Sequence, residues 1–125
     1  MIINLTTQES EEYFYNALCN GLSEIRDYGL RVYCNKEHYA QAKAKLTSPC
    51  YEDILMQMLR DGNTIGVEDL ECDGAYSKQI TLEDVHDRMP NVDQFHLLEM
   101  INENDDAGTA DVIIQTILYD EVIFG

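Results

Sequence analysis

The chain contains 125 residues, with 24 Asp and Glu against 8 Lys and Arg, which gives a formal net charge of -16. Hydrophobic residues make up 45% of the chain and eight residues are Tyr, so the composition predicts a folded domain rather than a disordered acidic tail. The negative charge argues against direct binding to nucleic acid or to an anionic membrane, and no apolar run approaches the roughly 20 residues that span a bilayer.

The first third of the chain is predicted to hold a helix and a strand. Residues 1–5 are short and apolar, which is typical of an edge strand or a docked arm. Thr6 and Glu9 have the spacing of a capping box, which predicts a helix that stops at Asn20-Gly21. Residues 30–34 then have the composition of a short strand.

Two further helices are predicted next. Residues 36–46 are good helix formers with an apolar face. Ser48 followed by Pro49 is typical of a helix N-terminus with Pro at the first helical position, and this helix is predicted to run to about Arg60. The polar residues 61–63, which include a glycine, are expected to end it.

The middle of the chain predicts a β-hairpin followed by a short helix. Residues 64–71 and 75–81 lie on either side of Asp73-Gly74, a dipeptide that is typical of hairpin turns. The helix begins with a second capping-box pattern at Thr81, and it must end near Met89 because a proline follows.

The last third is predicted to be mostly helical. One helix covers residues 92–102, and a polar loop follows to residue 108. Residues 109–119 predict the clearest helix of the chain, because apolar side chains recur on one face without a gap. Residues 121–124 are expected to form a strand or a packed tail.

These elements predict an α+β fold, a helix-rich single domain over residues 1–125 with a small antiparallel sheet. The length fits one domain, and neither a linker nor a low-complexity stretch divides it. The first residues lack the basic region of a secretory signal, so a cytoplasmic location is expected.

The negative charge is concentrated in the last three fifths of the chain. Residues 1–50 have a net charge of -1, whereas residues 51–125 have -15 and contain only three basic residues. Three acidic clusters predict an interaction face that docks a basic protein partner, because such a face steers association over long range. The residues of this predicted acidic face are Glu68, Asp69, Glu71, Asp73, Glu83, Asp84, Asp87, Glu103, Asp105 and Asp106.

Two other interpretations of the acidic clusters stay open. The carboxylates can form solvated faces that keep the protein soluble, with no partner at all. They can also imitate the phosphates of a nucleic acid and thereby inhibit a DNA-binding protein, which is the first alternative function. That alternative requires carboxylates in rows at phosphate-like spacing.

The apolar C-terminal region also has two interpretations. Ile113, Ile117, Tyr119 and Phe124 belong to a stretch that is apolar nearly all round. These side chains are expected either in the core or at the interface of a homodimer, since a small domain has limited interior to bury so continuous a run.

No catalytic or metal-binding motif is complete, so no catalytic residue, metal or cofactor is assigned. Glu83-x-x-His86 and His96-x-x-Glu99 each place a carboxylate and an imidazole one helical turn apart, and each is expected to be an ordinary surface contact. The segment after Arg60 lacks the ligands of a calcium loop. The sequence therefore favours a protein that is not an enzyme.

The second alternative function, a small metal- or thiol-dependent enzyme, depends on the cysteines and histidines. Cys19, Cys34, Cys50 and Cys72 show no C-x-x-C spacing, and they are expected to be reduced thiols, some of them packed in the core. A small metal- or thiol-dependent enzyme would require these cysteines, or the histidines His86 and His96, to converge in one place.

Overall fold

The computed structural model describes residues 3–125, which form six α-helices, a short 3₁₀ helix and three β-strands. In chain order these are α1 (Thr7–Asp27), β1 (Leu30–Tyr33), α2 (Lys36–Ala44), α3 (Tyr51–Arg60), β2 (Ile65–Asp69), β3 (Lys78–Ile80), α4 (Leu82–Arg88), the 3₁₀ helix (Met89–Asn91), α5 (Gln94–Ile101) and α6 (Ala107–Tyr119). This element list confirms the predicted helix-rich α+β class.

The three strands form one antiparallel sheet in the order β1-β2-β3. β1 and β2 pair with Leu30 opposite Asp69, and β2 and β3 pair with Ile65 opposite Ile80. The predicted hairpin is therefore confirmed, although its strands are shorter than predicted. The Asp73-Gly74 turn lies inside the longer loop of residues 70–77, where both residues adopt left-handed backbone angles, with φ of 53° and 79°.

The predicted stop of the first helix at Asn20-Gly21 is wrong, because α1 continues for seven more residues, to Asp27. Gly21 is buried against α6, where a Cβ would lie 2.8 Å from the Cβ of Ala110. The glycine thus allows two helices to pack closely. This packing outweighs the cost of about 1 kcal/mol that glycine carries in a helix relative to alanine. The helix instead ends before Gly29, whose φ of 81° is a left-handed conformation that suits glycine.

α5 begins at Gln94, two residues later than predicted, and the starts of α3 and α6 also differ from the prediction. α3 begins after Cys50 rather than at Pro49, and the Asp53 carboxylate accepts a 3.1 Å hydrogen bond from the Cys50 backbone N–H. α6 begins two residues earlier than predicted, because the carboxylate of Asp106 accepts the Thr109 N–H at 2.9 Å. In both cases an aspartate satisfies a backbone donor that the first turn of the helix leaves unpaired.

The buried apolar side chains form one core, in which α1 packs along α6 and the sheet covers part of the helical layer. Phe14 and Ile25 of α1, Leu55 of α3, Ile80 of β3 and Ile113 of α6 are all at most 2% exposed. Within residues 3–125, no helix is both long enough and apolar enough to cross a membrane.

The prediction that residues 1–5 form an edge strand or a docked arm can be compared with the structure only for residues 3–5. Met1 and Ile2 lie outside the described residues. Residues 3–5 form no strand, and Ile3 and Leu5 pack half-buried against the core. At the other end, residues 121–124 form no strand but a tail that packs on the core through Phe124, which is one of the two predicted alternatives.

Candidate functional site

Four aromatic rings from four different segments meet at one end of the molecule, and we call them the aromatic patch: Tyr28, Tyr76, Tyr119 and Phe124. The ring of Phe124 stacks on Tyr28 with centroids 5.0 Å apart, and it meets Tyr76 edge-on at 5.2 Å. Tyr119 lies 6.4 Å from Tyr76 and 6.3 Å from Phe124. All four side chains are half-buried, so the patch combines a packed interior with an accessible outer side.

The patch is assembled where several elements end. Tyr28 caps the C-terminus of α1, Tyr119 is the last residue of α6, and Tyr76 belongs to the loop of residues 70–77. The Tyr119 hydroxyl donates a 2.7 Å hydrogen bond to the backbone carbonyl of Tyr76. This bond ties the hairpin loop to α6 and fixes the spacing of the two rings.

The C-terminal tail is held to the patch by Gln115, whose side chain is completely buried on α6. Its Oε1 accepts the backbone N–H groups of Ile123 and Phe124, both at 2.8 Å. Its Nε2 donates to the Phe124 carbonyl at 3.1 Å and to the Asp111 carboxylate at 2.9 Å. The glutamine therefore satisfies the tail backbone in the way that a neighbouring strand would, and it positions the Phe124 ring.

The loop of residues 70–77 is organised by Asp69. Its Oδ1 accepts the N–H groups of Cys72 at 2.9 Å and Glu71 at 3.0 Å, and its Oδ2 accepts the Tyr76 N–H at 3.1 Å. The hydrogen bond from the Cys72 N–H, helped by the other two, holds the pKa of Asp69 below its usual value although burial opposes this. The buried carboxylate therefore shapes the loop that carries Tyr76.

We expect Asp69→Asn to destabilise the protein at neutral pH, because an amide oxygen cannot replace a carboxylate that accepts three backbone N–H groups. The lowered pKa means that the charged form stabilises the fold above the unfolded-state pKa of about 4, and that this contribution is lost as the pH falls through the folded-state pKa. The difference in urea midpoint between wild type and variant should thus be largest near pH 7 and shrink below about pH 4. A difference that stays constant from pH 7 to pH 3 would contradict this role.

Four carboxylates lie at the Tyr28 side of the aromatic patch, and we call them its acidic rim: Glu24, Asp27, Glu71 and Asp111. The Tyr28 hydroxyl donates to Asp111 Oδ2 at 2.5 Å, and this bond, together with burial and the charges of Asp111, Glu24 and Asp27, raises the pKa of Tyr28 to about 12. The Glu71 side chain lies against Gly29, where a Cβ would overlap it. Within residues 3–125, no carboxylate of the rim forms an ion pair with Lys or Arg.

The structure gives several residues of the predicted acidic face an internal role. Asp69 is buried, so its placement on an accessible face is corrected. Asp84 completes the capping box of α4, and Asp106 caps α6. Asp105 accepts a hydrogen bond from Asn20, and Glu68 pairs with Arg31 at 2.6 Å. The exposed remainder of the predicted face comprises Glu71, Asp73, Glu83, Asp87 and Glu103.

These exposed acids do not cluster at one place. α4, which carries Glu83 and Asp87, meets α1 at Glu11, whose carboxylate lies 3.0 Å from His86 Nε2. Glu71 meets the opposite end of α1, at Gly29. Glu11 and the last residue of α1, Asp27, are about 24 Å apart along the helix at 1.5 Å per residue. Glu83 and Asp87 are therefore distant from the acidic rim, to which Glu71 belongs because its side chain lies against Gly29.

The residues considered for self-association divide into two pairs. Ile113 and Ile117 are completely buried in the core of the single chain, so they are not available for a homodimer interface. Tyr119 and Phe124 are half-buried and belong to the aromatic patch. The continuous apolar run is accommodated because α6 lies in the middle of the fold, between α1, α5 and the sheet.

The histidines have separate partners. His86 contacts Glu11, which also accepts from Arg60 Nε at 3.0 Å, whereas His96 Nδ1 lies 3.0 Å from the Thr109 hydroxyl. Glu11 and Arg60 border an open cleft of about 600 Å³, in which the Tyr15 hydroxyl donates to Asp53 at 2.8 Å. The bonds of Glu11 with Arg60 and His86, and of Tyr15 with Asp53, tie α1 to α3 and α4 at this cleft.

The cysteines are all free thiols. Cys19, Cys50 and Cys72 are exposed, and Cys34 is half-buried against the core, so the expectation that some cysteines are core residues applies only to Cys34 and only in part. Across residues 3–125, no group of three or more His, Cys, Asp or Glu side chains is arranged to hold a metal ion.

Sequence reasoning missed the aromatic patch, because its rings come from positions far apart in the chain. The sequence does contain a signal for Gln115, the residue that holds the C-terminal tail on the aromatic patch. Gln115 interrupts the apolar run of α6, and a polar residue in a buried stripe needs internal partners.

Comparison of the chain with known protein families, with curated proteins and with solved structures finds no match in any of the three.

Proposed function

We propose that this protein docks a basic protein partner on the aromatic patch and its acidic rim. The observation that carries the proposal is a cluster of four half-buried rings that is flanked, on its Tyr28 side, by four carboxylates without a Lys or Arg partner within residues 3–125. Aromatic side chains supply most of the binding energy at many protein interfaces, and acidic groups beside them favour Lys and Arg.

The surroundings of the patch support the same proposal. Leu70 is 58% exposed and Val122 is 51% exposed, and they belong to the hairpin loop and the tail that carry Tyr76 and Phe124. Exposed apolar side chains on the same segments as the rings add apolar surface of the kind that interfaces use.

The charge of the whole chain supports rapid capture of a basic partner. Of the 24 acidic residues, all within residues 3–125, only Glu11, Asp61, Glu68 and Asp84 form ion pairs with Lys or Arg. The uncompensated carboxylates create a negative potential that attracts a basic protein before contact, and added salt screens this attraction.

A cytoplasmic location is part of this proposal, and the four free thiols support it, because reduced cysteines are typical of that compartment. The two alternative functions, imitation of nucleic acid and a small metal- or thiol-dependent enzyme, stay predictions from the sequence. No contact at the aromatic patch favours either of them over the docking of a basic protein.

The proposal is tested with a labelled twelve-residue peptide rich in Lys and Arg, whose affinity is measured by fluorescence anisotropy at 50 and 300 mM salt. The rim variant replaces Glu24→Gln, Asp27→Asn and Glu71→Gln together. Because each exposed charge pair is worth up to about 1 kcal/mol, we expect the peptide to bind the rim variant about tenfold more weakly than wild type, and wild type to bind more weakly at high salt.

The control variant removes three exposed carboxylates elsewhere, by Glu83→Gln, Asp87→Asn and Glu103→Gln, so that its net charge equals that of the rim variant. We expect it to keep nearly all of the affinity. An equal loss in the two variants would mean that the peptide senses only the total charge. An affinity that does not depend on salt would also overturn the proposal.

A further inference from the structure

Two of the free thiols lie beside the same hydroxyl group, at the contact between α1 and α3. The Tyr15 hydroxyl lies 3.6 Å from Sγ of Cys50, the residue just before α3. Cys19 follows Tyr15 by four residues on α1, and side chains at that spacing are neighbours on one face of a helix. Hydrogen bonds with Cys50 and Asp53, followed by burial and the interaction with Cys19, raise the pKa of Tyr15. Both thiols therefore contact one hydroxyl, although residues 20–49 separate them in the chain.

Both thiols are accessible to a small oxidant in solution. Cys19 and Cys50 are exposed, whereas Cys34 is half-buried against the core. Cys72 is exposed too, but it lies elsewhere, next to Glu71, whose side chain lies beyond the C-terminus of α1. Cys19 and Cys50 therefore combine accessibility with a shared partner.

The start of α3 is held against α1 by Asp53. One of its carboxylate oxygens accepts the Tyr15 hydroxyl at 2.8 Å, and the other accepts the Cys50 backbone N–H at 3.1 Å. The backbone of Cys50 is thus fixed relative to the helix face that carries Cys19. A disulfide needs its sulfur atoms about 2 Å apart, and rotation of the two exposed side chains is the movement that brings them there.

The environment of Cys19 indicates which of the two thiols reacts first. Burial, together with the charges of Glu52 and Asp53, raises the pKa of Cys19, although the hydrogen bond with Tyr15 opposes this. The thiolate is the nucleophile in thiol oxidation, so a thiol with a raised pKa reacts slowly with a peroxide. The first attack is therefore assigned to Cys50, and Cys19 reacts in the second step.

We propose that Cys19 and Cys50 form a reversible oxidation site, at which hydrogen peroxide converts the two thiols into a disulfide between α1 and the start of α3. The Cys50 thiolate attacks one peroxide oxygen, the O–O bond breaks, and a sulfenic acid and water form. Sγ of Cys19 then attacks the sulfenic sulfur, the S–O bond breaks, and the hydroxide leaves as water with the Cys19 proton. Two thiols are oxidised to one disulfide, and one peroxide is reduced to two waters.

The disulfide would close residues 20–49, which contain β1 and α2, into a covalent loop. Such a loop restricts the unfolded chain and thereby stabilises the folded one. Thiols such as glutathione reverse the bond by exchange, which fits a transient disulfide in a reducing compartment. Neither cysteine belongs to the aromatic patch or its acidic rim, so the oxidation site is independent of the docking of a basic partner.

The test treats the native protein with one equivalent of hydrogen peroxide, blocks the remaining thiols with N-ethylmaleimide and maps disulfides by mass spectrometry. One double variant, Cys34→Ser with Cys72→Ser, keeps only the proposed pair. The matched control, Cys19→Ser with Cys50→Ser, keeps only the other two thiols. Circular dichroism of both reduced variants verifies that they are folded.

We expect wild type and the variant that keeps the pair to form a monomeric Cys19–Cys50 disulfide, which reduced glutathione opens again. The control should lose its thiols at least tenfold more slowly. The oxidised wild type should also have a urea midpoint about 1 M or more above that of the reduced protein.

Several results would overturn the inference. These are sulfinic acids without a disulfide, a disulfide between chains, or a bond from Cys50 to Cys34 or Cys72. Equal rates of thiol loss in the two double variants would show that the pair has no special reactivity. An unchanged urea midpoint after oxidation would show that the two helices are not linked in the native fold.

Discussion

Replacing Gly21 by valine is expected to destabilise the fold by about 3 kcal/mol or more, the upper end of the usual cost of overpacking a core. A Cβ at this position would lie 2.8 Å from the Cβ of Ala110, 3.0 Å from Cδ1 of Ile114 and 3.1 Å from the Ala110 carbonyl carbon. Because one of these contacts is backbone, no side-chain rotation can relieve it. α1 and α6, the central helices of the fold, would have to move apart.

The control is Ser23→Val, which places the same β-branched residue at an exposed position of the same helix. Its cost should stay within about 0.5 kcal/mol, as is usual for surface substitutions. The free energies of unfolding are compared by urea denaturation monitored by circular dichroism. Similar values for the two variants would show that the close approach of the helices does not depend on Gly21.

Gly21 also shows why part of the fold could not be predicted from the sequence. The two predicted capping boxes depend on contacts within one turn and are confirmed, since Thr6 bonds with Glu9 and Thr81 with Asp84. Asn20-Gly21 has the local pattern of a helix stop, but its conformation is set by a helix almost 90 residues later in the chain. Local patterns do not contain that contact.

The candidate site could be predicted only in part for the same reason, because it depends on contacts between distant parts of the chain. The sequence indicates how many carboxylates the chain has, but not which of them bond internally. Asp69 and Asp106 belong to the predicted acidic face, yet they organise a loop and a helix start. Glu24 and Asp111, in contrast, lie in no predicted cluster and join the acidic rim, because α1 and α6 pack side by side.

Replacing Gln115 by leucine is expected to release the C-terminal tail and to lower the free energy of unfolding by about 2 to 3 kcal/mol. Leucine has nearly the same volume, but it removes all four hydrogen bonds of the buried amide. The N–H groups of Ile123 and Phe124 would then have no acceptor in an apolar site. The tail satisfies them by turning towards water, which withdraws the Phe124 ring from Tyr28.

Hydrogen exchange followed by NMR should accordingly show faster exchange of the Ile123 and Phe124 amides in the Gln115→Leu variant than in wild type. Thr116→Val is the matched control, because Thr116 is equally buried on the same helix and its hydroxyl bonds only to the Val112 carbonyl at 2.8 Å. We expect it to cost at most about 1 kcal/mol and to leave the tail amides protected. Tail amides that stay protected in Gln115→Leu would show that ring stacking, rather than the glutamine, holds the tail on the patch.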